Sequence, residues 1–167
     1  LNQADLTGAN LYNAKLSESD LRNADFTDAT LNEATFIDAS CKQADLSGGY
    51  LKEVNLSGGT HNKANFSKAK LTGANLTGCA LVGTDFSDAS LKRAGLRDAS
   101  LRSANLSDAT LTGANLSEAT LRDANLSEAT LRDANLSDTD VAKSNLTGAI
   151  LKKANLTDAN LNHADLK

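Results

Sequence analysis

The chain has 167 residues, 17 of them basic and 21 acidic, for a formal charge of −4, and it contains no Pro, Met or Trp. That length predicts one domain, and the mild acidity argues against direct nucleic-acid binding, which needs a basic surface. No apolar run approaches the roughly 18 residues of a spanning helix, no charged segment leading into an apolar stretch opens the chain, and two cysteines are too few for a disulfide scaffold.

One period governs the chain from its first residue. Every fifth position from Leu1 to Leu166 is Leu or Phe, apart from Cys41, His61 and Val141, and neither Leu nor Phe occurs anywhere else. We call these positions centres. Ala stands two residues before the centre in 25 of 33 repeats, and Asp or Asn often stands immediately before it. The phase never slips, so no linker or domain boundary divides residues 1–167.

The departures from this pattern fall in a few places along the chain. Cys41 is the first centre that is neither Leu nor Phe. Gly48, Gly49, Tyr50, Val54, Gly58 and Gly59 follow in a cluster that reads as drift from the repeat, with Tyr50 expected to face outward and a local contact patch with Tyr12 as the alternative. His61 is the next irregular centre. Gly59, two residues before it, stands where Ala is usual and leaves room for an imidazole. Cys79 also takes an Ala position. Residues 115–124 and 125–134 both read NLSEATLRDA, so the repeat is nearly undiluted there.

A five-residue period suits neither regular element. On an α-helix successive centres would precess by about 140°, and on a strand, with its period of about 2, they would alternate between faces. The backbone must instead turn a corner once per repeat. Four corners close a square, so one coil takes 20 residues and the 34 centres make about 8.5 coils of four pentapeptides, a rod of roughly 40 Å at the spacing of neighbouring strands. Centre and Ala then point inward and the other three positions outward. Asp or Asn before the centre, with Ser, Thr or Gly after it, is turn chemistry. Stacked Asn side chains, as at 105, 125 and 145, are expected to hydrogen-bond along the rod.

Residues 20 apart stack, so the sequence can be sorted onto four faces, face 1 beginning at centre 1, face 2 at 6, face 3 at 11 and face 4 at 16. Basic columns fall on face 1 (Arg22, Lys42, Arg102, Arg122) and face 3 (Lys52, Lys92, Arg132, Lys152). Face 4 carries the candidate interaction column Glu18, Asp38, Asp98, Glu118, Asp138 and Asp158, and face 2 carries Asp28, Lys68, Asp88, Asp108 and Glu128. Duplex DNA presents one charge per about 1.7 Å, so the face 4 column is far sparser than a phosphate backbone.

No catalytic constellation is legible, since a nucleophile needs a base held by a third group. Cys41, His61 and Cys79 lie near one another in this scheme, but they fall short of a closed zinc site. They are expected to be a packed His and two inert thiols. No catalytic residue, cofactor or metal ligand is assigned.

The runs ADLTGANLYN and ANLSEATLRDANLSEATLRD resemble the pentapeptide-repeat family, whose consensus is A(D/N)LXX, and the resemblance covers all 167 residues. It implies an all-β fold, a right-handed quadrilateral β-helix (a solenoid), and it implies no single function. Members of that family are common in cyanobacteria and in the thylakoid lumen of plants, and one subgroup binds DNA gyrase by mimicking DNA. The expectation is a non-enzymatic structural or protein-interaction module with an unidentified protein partner, the alternative being a gyrase-binding DNA mimic. The compartment is left as cytoplasmic, or periplasmic or lumenal if a leader has been removed. Solenoid ends without a polar cap predict either a piece excised from a larger protein or end-to-end self-association.

Overall fold

The computed structural model describes residues 1–167. The chain winds into a four-sided coil. Every β-bridge is parallel and joins residues 20 apart, from Asp5–Asp25 to Asn145–Asp165, so one turn of the coil takes 20 residues. Coil 1 is residues 1–20 and the following coils are counted in the same way, so that coil 8 is residues 141–160.

Each side ends in a β-turn. The amide of the residue three after each centre donates to the centre carbonyl, as in Ala4 to Leu1 (3.0 Å) and Ala109 to Leu106 (3.2 Å). Every residue two after a centre, from Gln3 to His163, has φ between +54° and +72°. Positive φ at the third turn residue alone defines a type II turn, the position that favours Gly or Asn. Gly fills eight of these positions and 25 carry side chains, none of them β-branched. A branched Cβ is the case the left-handed region tolerates least, so Asp108→Val is expected to cost about 1–2 kcal/mol, whereas Asp108→Gly is expected to be neutral or mildly stabilising. Thermal midpoints of the two variants test the turn type. A wild-type midpoint for Asp108→Val would refute it.

The backbone donors of one repeat can be accounted for completely. In residues 105–109, Asn105 N donates to Thr84 O of the preceding coil (2.9 Å), Leu106 N to Asn125 O of the next (2.6 Å), Asp108 N to Ser127 O (2.9 Å), and Ala109 N closes the turn. The fifth donor, Ser107 N, has no carbonyl to reach and donates to the side-chain Oδ1 of Asn105 at 3.2 Å. This is why Asp or Asn precedes so many centres. Its carboxylate or amide oxygen satisfies the one amide the coil leaves over, an Asx turn. Thr7, Thr27, Ser57 and Thr157 add a hydroxyl donor to the same oxygen. The amide nitrogen of Asn is then free to donate up the rod, from Asn145 to Asn125 (3.1 Å) and from Asn125 to Asn105 (3.2 Å). The expected Asn ladders are therefore present.

Centres and their Ala partners form one continuous core from Leu21 to Leu146, almost all of it fully buried. Burial of each centre is worth about 2–3 kcal/mol against an exposed side chain. Polar residues that replace Ala inside the rod donate to carbonyls with a lone pair to spare: Thr84 Oγ1 to His61 O (3.0 Å), Thr139 Oγ1 to Leu116 O (2.9 Å) and Ser144 Oγ to Val141 O (2.6 Å). No helix is long and apolar enough to cross a membrane.

Candidate protein-interaction faces

No pocket opens on the rod, because Leu and Ala fill its interior. The chemistry it can offer is therefore on its four flat faces. The residue before each centre and the two after it project outward there, and sorting charges by face divides them sharply. Face 2 carries nine carboxylates against Lys68 and Lys167, and face 4 carries six against Lys15 and Arg97. Face 1 carries six cations against Asp20, Asp123 and Asp140, and face 3 carries seven against Glu33, Glu53 and Asp133. Acidic and basic faces alternate around the square, so like faces are opposite one another.

The six face 4 residues singled out from sequence, Glu18, Asp38, Asp98, Glu118, Asp138 and Asp158, are all exposed and lie in one column. The column is not continuous. Gly58 and Gly78 interrupt it between Asp38 and Asp98. Arg97, on the same face, pairs with Asp98 at 3.3 Å and with Glu118 at 2.6 Å, which places a guanidinium in its middle.

Face 2 is the stronger acidic surface. Its column after the turn (Asp28, Asp88, Asp108, Glu128) runs beside a second column before the centre (Asp5, Asp25, Asp45, Asp85, Asp165). Of these nine only Asp165 meets a cation within 4 Å, Lys167 at 3.7 Å. Sequence reasoning missed the second column because it assigned those aspartates to turn chemistry. They do serve the turn: Asp25 accepts from Thr27 N (2.9 Å) and Oγ1 (2.6 Å), and these bonds lower its pKa. The same bonds keep it ionised, so the turn residues are also the charge. Their spacing of 20 was the signal available in the sequence.

The basic faces differ in how far their cations are engaged. On face 1, Arg22 is held by Asp20 (2.7 Å) and Arg122 by Asp140 (3.2 Å). On face 3, Lys52 meets Glu53 at 3.4 Å and Lys70 Nζ lies 4.1 Å from the centre of the Tyr50 ring. Tyr50 and Tyr12 are 43% and 56% exposed, outward as expected, although Tyr50 is engaged by Lys70.

The interior irregularities gather around His61. Its ring is fully buried, edge-on to Phe66 at 6.3 Å, and its Nε2 lies 3.3 Å from Leu56 O, to which Cys79 Sγ also donates at 3.0 Å. Nε2 is thereby the protonated nitrogen, and Nδ1 is buried without a partner. Burial lowers the His61 pKa to about 4 and raises those of Cys41 and Cys79 to about 12. Both cysteines are free thiols. A Cβ at Gly59 would lie 2.8 Å from His61 Cε1, so the glycine does make room for the ring. No group of three or more His, Cys, Asp or Glu side chains is placed to hold a metal ion.

A coil with sides of five residues, a sealed core and charged flat faces defines a repeat scaffold, a class in which each unit is stabilised by its neighbours. Family models place it further: one described as a pentapeptide repeat region matches residues 62–126, and one described as pentapeptide repeats (8 copies) matches 1–28, 14–52 and 129–167. The chain belongs to the pentapeptide-repeat family, and its fold is the right-handed quadrilateral β-helix. Among solved structures it is similar to HetL, a pentapeptide-repeat protein involved in heterocyst differentiation regulation in the cyanobacterium Nostoc sp. strain PCC 7120, with 33% identity over 99% of this chain and 86% of that one and a TM-score of 0.43. It is also similar to a trypsin-treated form of QnrB1, a plasmid-mediated fluoroquinolone resistance protein (20% identity, 95% and 87% of the two chains, TM-score 0.49). Rfr23 of the cyanobacterium Cyanothece 51142 is similar at 23% identity over 77% and 91% of the two chains, with a TM-score of 0.43. None of the curated proteins compared with the chain matches it.

Proposed function

We propose that this chain is a non-enzymatic protein-interaction module that offers a rigid, flat, charged face to a protein partner. The observation that carries this reading is the segregation of charge onto whole faces of a rod that has no pocket. A substrate site needs concavity, whereas a regular charged plane suits docking and steering of another macromolecule. The test is a salt-resolved pull-down with the intact rod, comparing wild type with a face 2 variant carrying Asp28→Asn, Asp88→Asn and Asp108→Asn. A partner captured by wild type, lost with the variant and released by salt supports the reading. Capture unchanged by the variant would place the contact elsewhere.

A second reading, a DNA mimic that binds gyrase, is favoured by one observation, the doubled acidic column of face 2. Its charges remain fewer than the one per about 1.7 Å of duplex DNA. A supercoiling assay with the purified rod separates the two readings. Inhibition that weakens with salt and disappears in the face 2 variant supports mimicry, and unimpeded gyrase removes it.

A further inference from the structure

The alternation of charge around the square also bears on what the rod does to copies of itself. Four observations converge. The acids of face 2 in coils 5 and 7, Asp85, Asp88 and Glu128, make no ion pair within the rod, and neither do the face 3 cations of those coils, Lys92, Arg93 and Arg132. Acids and cations thus stand at the same heights, because both belong to the same coils. Two copies share one axial repeat, so the complementary charges of coils 5 and 7 stay in step, which a partner of unrelated spacing would not achieve, although coil 2 sets Asp25 and Asp28 beside Glu33 and coil 4 sets Lys68 beside Lys70. Finally, faces 2 and 3 are adjacent sides of a square and meet at a right angle.

We propose that copies of this chain pack side by side, parallel and in register, with the acidic face 2 of one rod against the basic face 3 of the next. The contact is heterologous, since two different faces meet. A heterologous contact closes into a ring when its rotation divides a full turn, and a right-angle step closes after four copies. The assembly is therefore a four-membered ring of parallel rods, each using both faces. Face 1 also offers face 2 cations in no ion pair, Lys42 in coil 3 and Arg102 in coil 6, but in coil 5 it has only Val82 and Gly83 after the centre, and in coil 7 its Arg122 is already held by Asp140. This proposal goes beyond the module reading and stands without it, because it needs no second protein.

The test is sedimentation velocity on the intact chain at low and high salt. In about 20 mM salt the attraction reaches across the contact, whereas in about 1 M salt the Debye length falls to roughly 3 Å. The expected result is a species of four times the monomer mass at low salt that reverts to monomer at high salt. Two variants identify the faces. One carries Asp88→Lys, Asp108→Lys and Glu128→Lys, at turn positions of the kind Lys68 already occupies with φ +60°. The other carries Lys92→Glu, Arg93→Glu and Arg132→Glu. Each alone is expected to remain monomeric at low salt, with circular dichroism and melting confirming the fold. Mixed in equal amounts they are expected to recover the fourfold species, because each supplies the face the other has lost. A monomer at all salt concentrations overturns the proposal. So does low-salt assembly that persists in either variant, which would locate the contact at the rod ends or on other faces.

Discussion

Leu101→Asp is expected to break the rod in its middle. Leu101 is a fully buried centre in coil 6, with complete coils on either side of it. The substitution removes a buried aliphatic side chain, at about 2–5 kcal/mol, and leaves a carboxylate with no cation to meet it, at about 3–5 kcal/mol more. In a solenoid the loss falls on the interfaces with both neighbouring coils. At roughly 2–4 °C per kcal/mol for a chain of this size, a fall in thermal midpoint of more than about 10 °C is expected, with an early transition as the two halves uncouple. The adjacent substitution Arg102→Asp places the same carboxylate on the exposed surface and is expected to stay within about 0.5 kcal/mol of wild type. The contrast between neighbouring residues measures the phase of the repeat directly. Equal midpoints for the two variants would mean that the inward and outward positions are wrongly assigned.

His61 is expected to give the rod an acid-dependent weakness in coil 4. Burial holds its folded pKa near 4, below the ordinary value of 6.5. The neutral ring is the folded form, so its stabilising effect is complete above the unfolded pKa and declines as pH falls toward the folded one. Between pH 6.5 and about 4 the unfolded chain takes up a proton that the folded chain does not, which costs about 3 kcal/mol over the interval. Asp5 and Asp25, whose pKa values are lowered, keep their full contribution above the ordinary carboxyl value of 3.8 and lose it progressively as pH falls below that. His61→Leu is therefore expected to flatten stability between pH 6.5 and 4, read from denaturant melts at several pH values. A slope unchanged by the substitution would show that another group carries it.

Gly59 makes the same point sterically. Gly59→Ala is expected to destabilise wild type by about 1–3 kcal/mol by overpacking against the ring, since the new Cβ would lie 2.8 Å from His61 Cε1. In the His61→Leu background the ring is gone and the 2.9 Å approach to the Ala39 carbonyl remains, so the same change is expected to cost less. A double-mutant cycle reads this coupling. Additive effects would mean that the glycine was not placed for the imidazole.

The sequence by itself determined the path of the chain. A period of five with Leu or Phe at every centre but three admits only a backbone that turns once per repeat, and the unbroken phase made a single rod of stacked coils the one solution. The inward side chains, the Asn ladders and the space left beside His61 were legible for the same reason: each depends on spacing along the chain, and stacking converts a spacing of 20 into contact. Tertiary structure alone decided how charge is used. On face 4, Arg97 reaches from one coil to Glu118 in the next, a contact set by side-chain length and not by period. Face 2 is the stronger surface because its second aspartate column caps turns, and at Asp25 the same bonds lower the carboxyl pKa. Which donor an aspartate accepts, and whether a cation lies within reach, are matters of distance between side chains, and a repeat pattern fixes only the backbone that carries them.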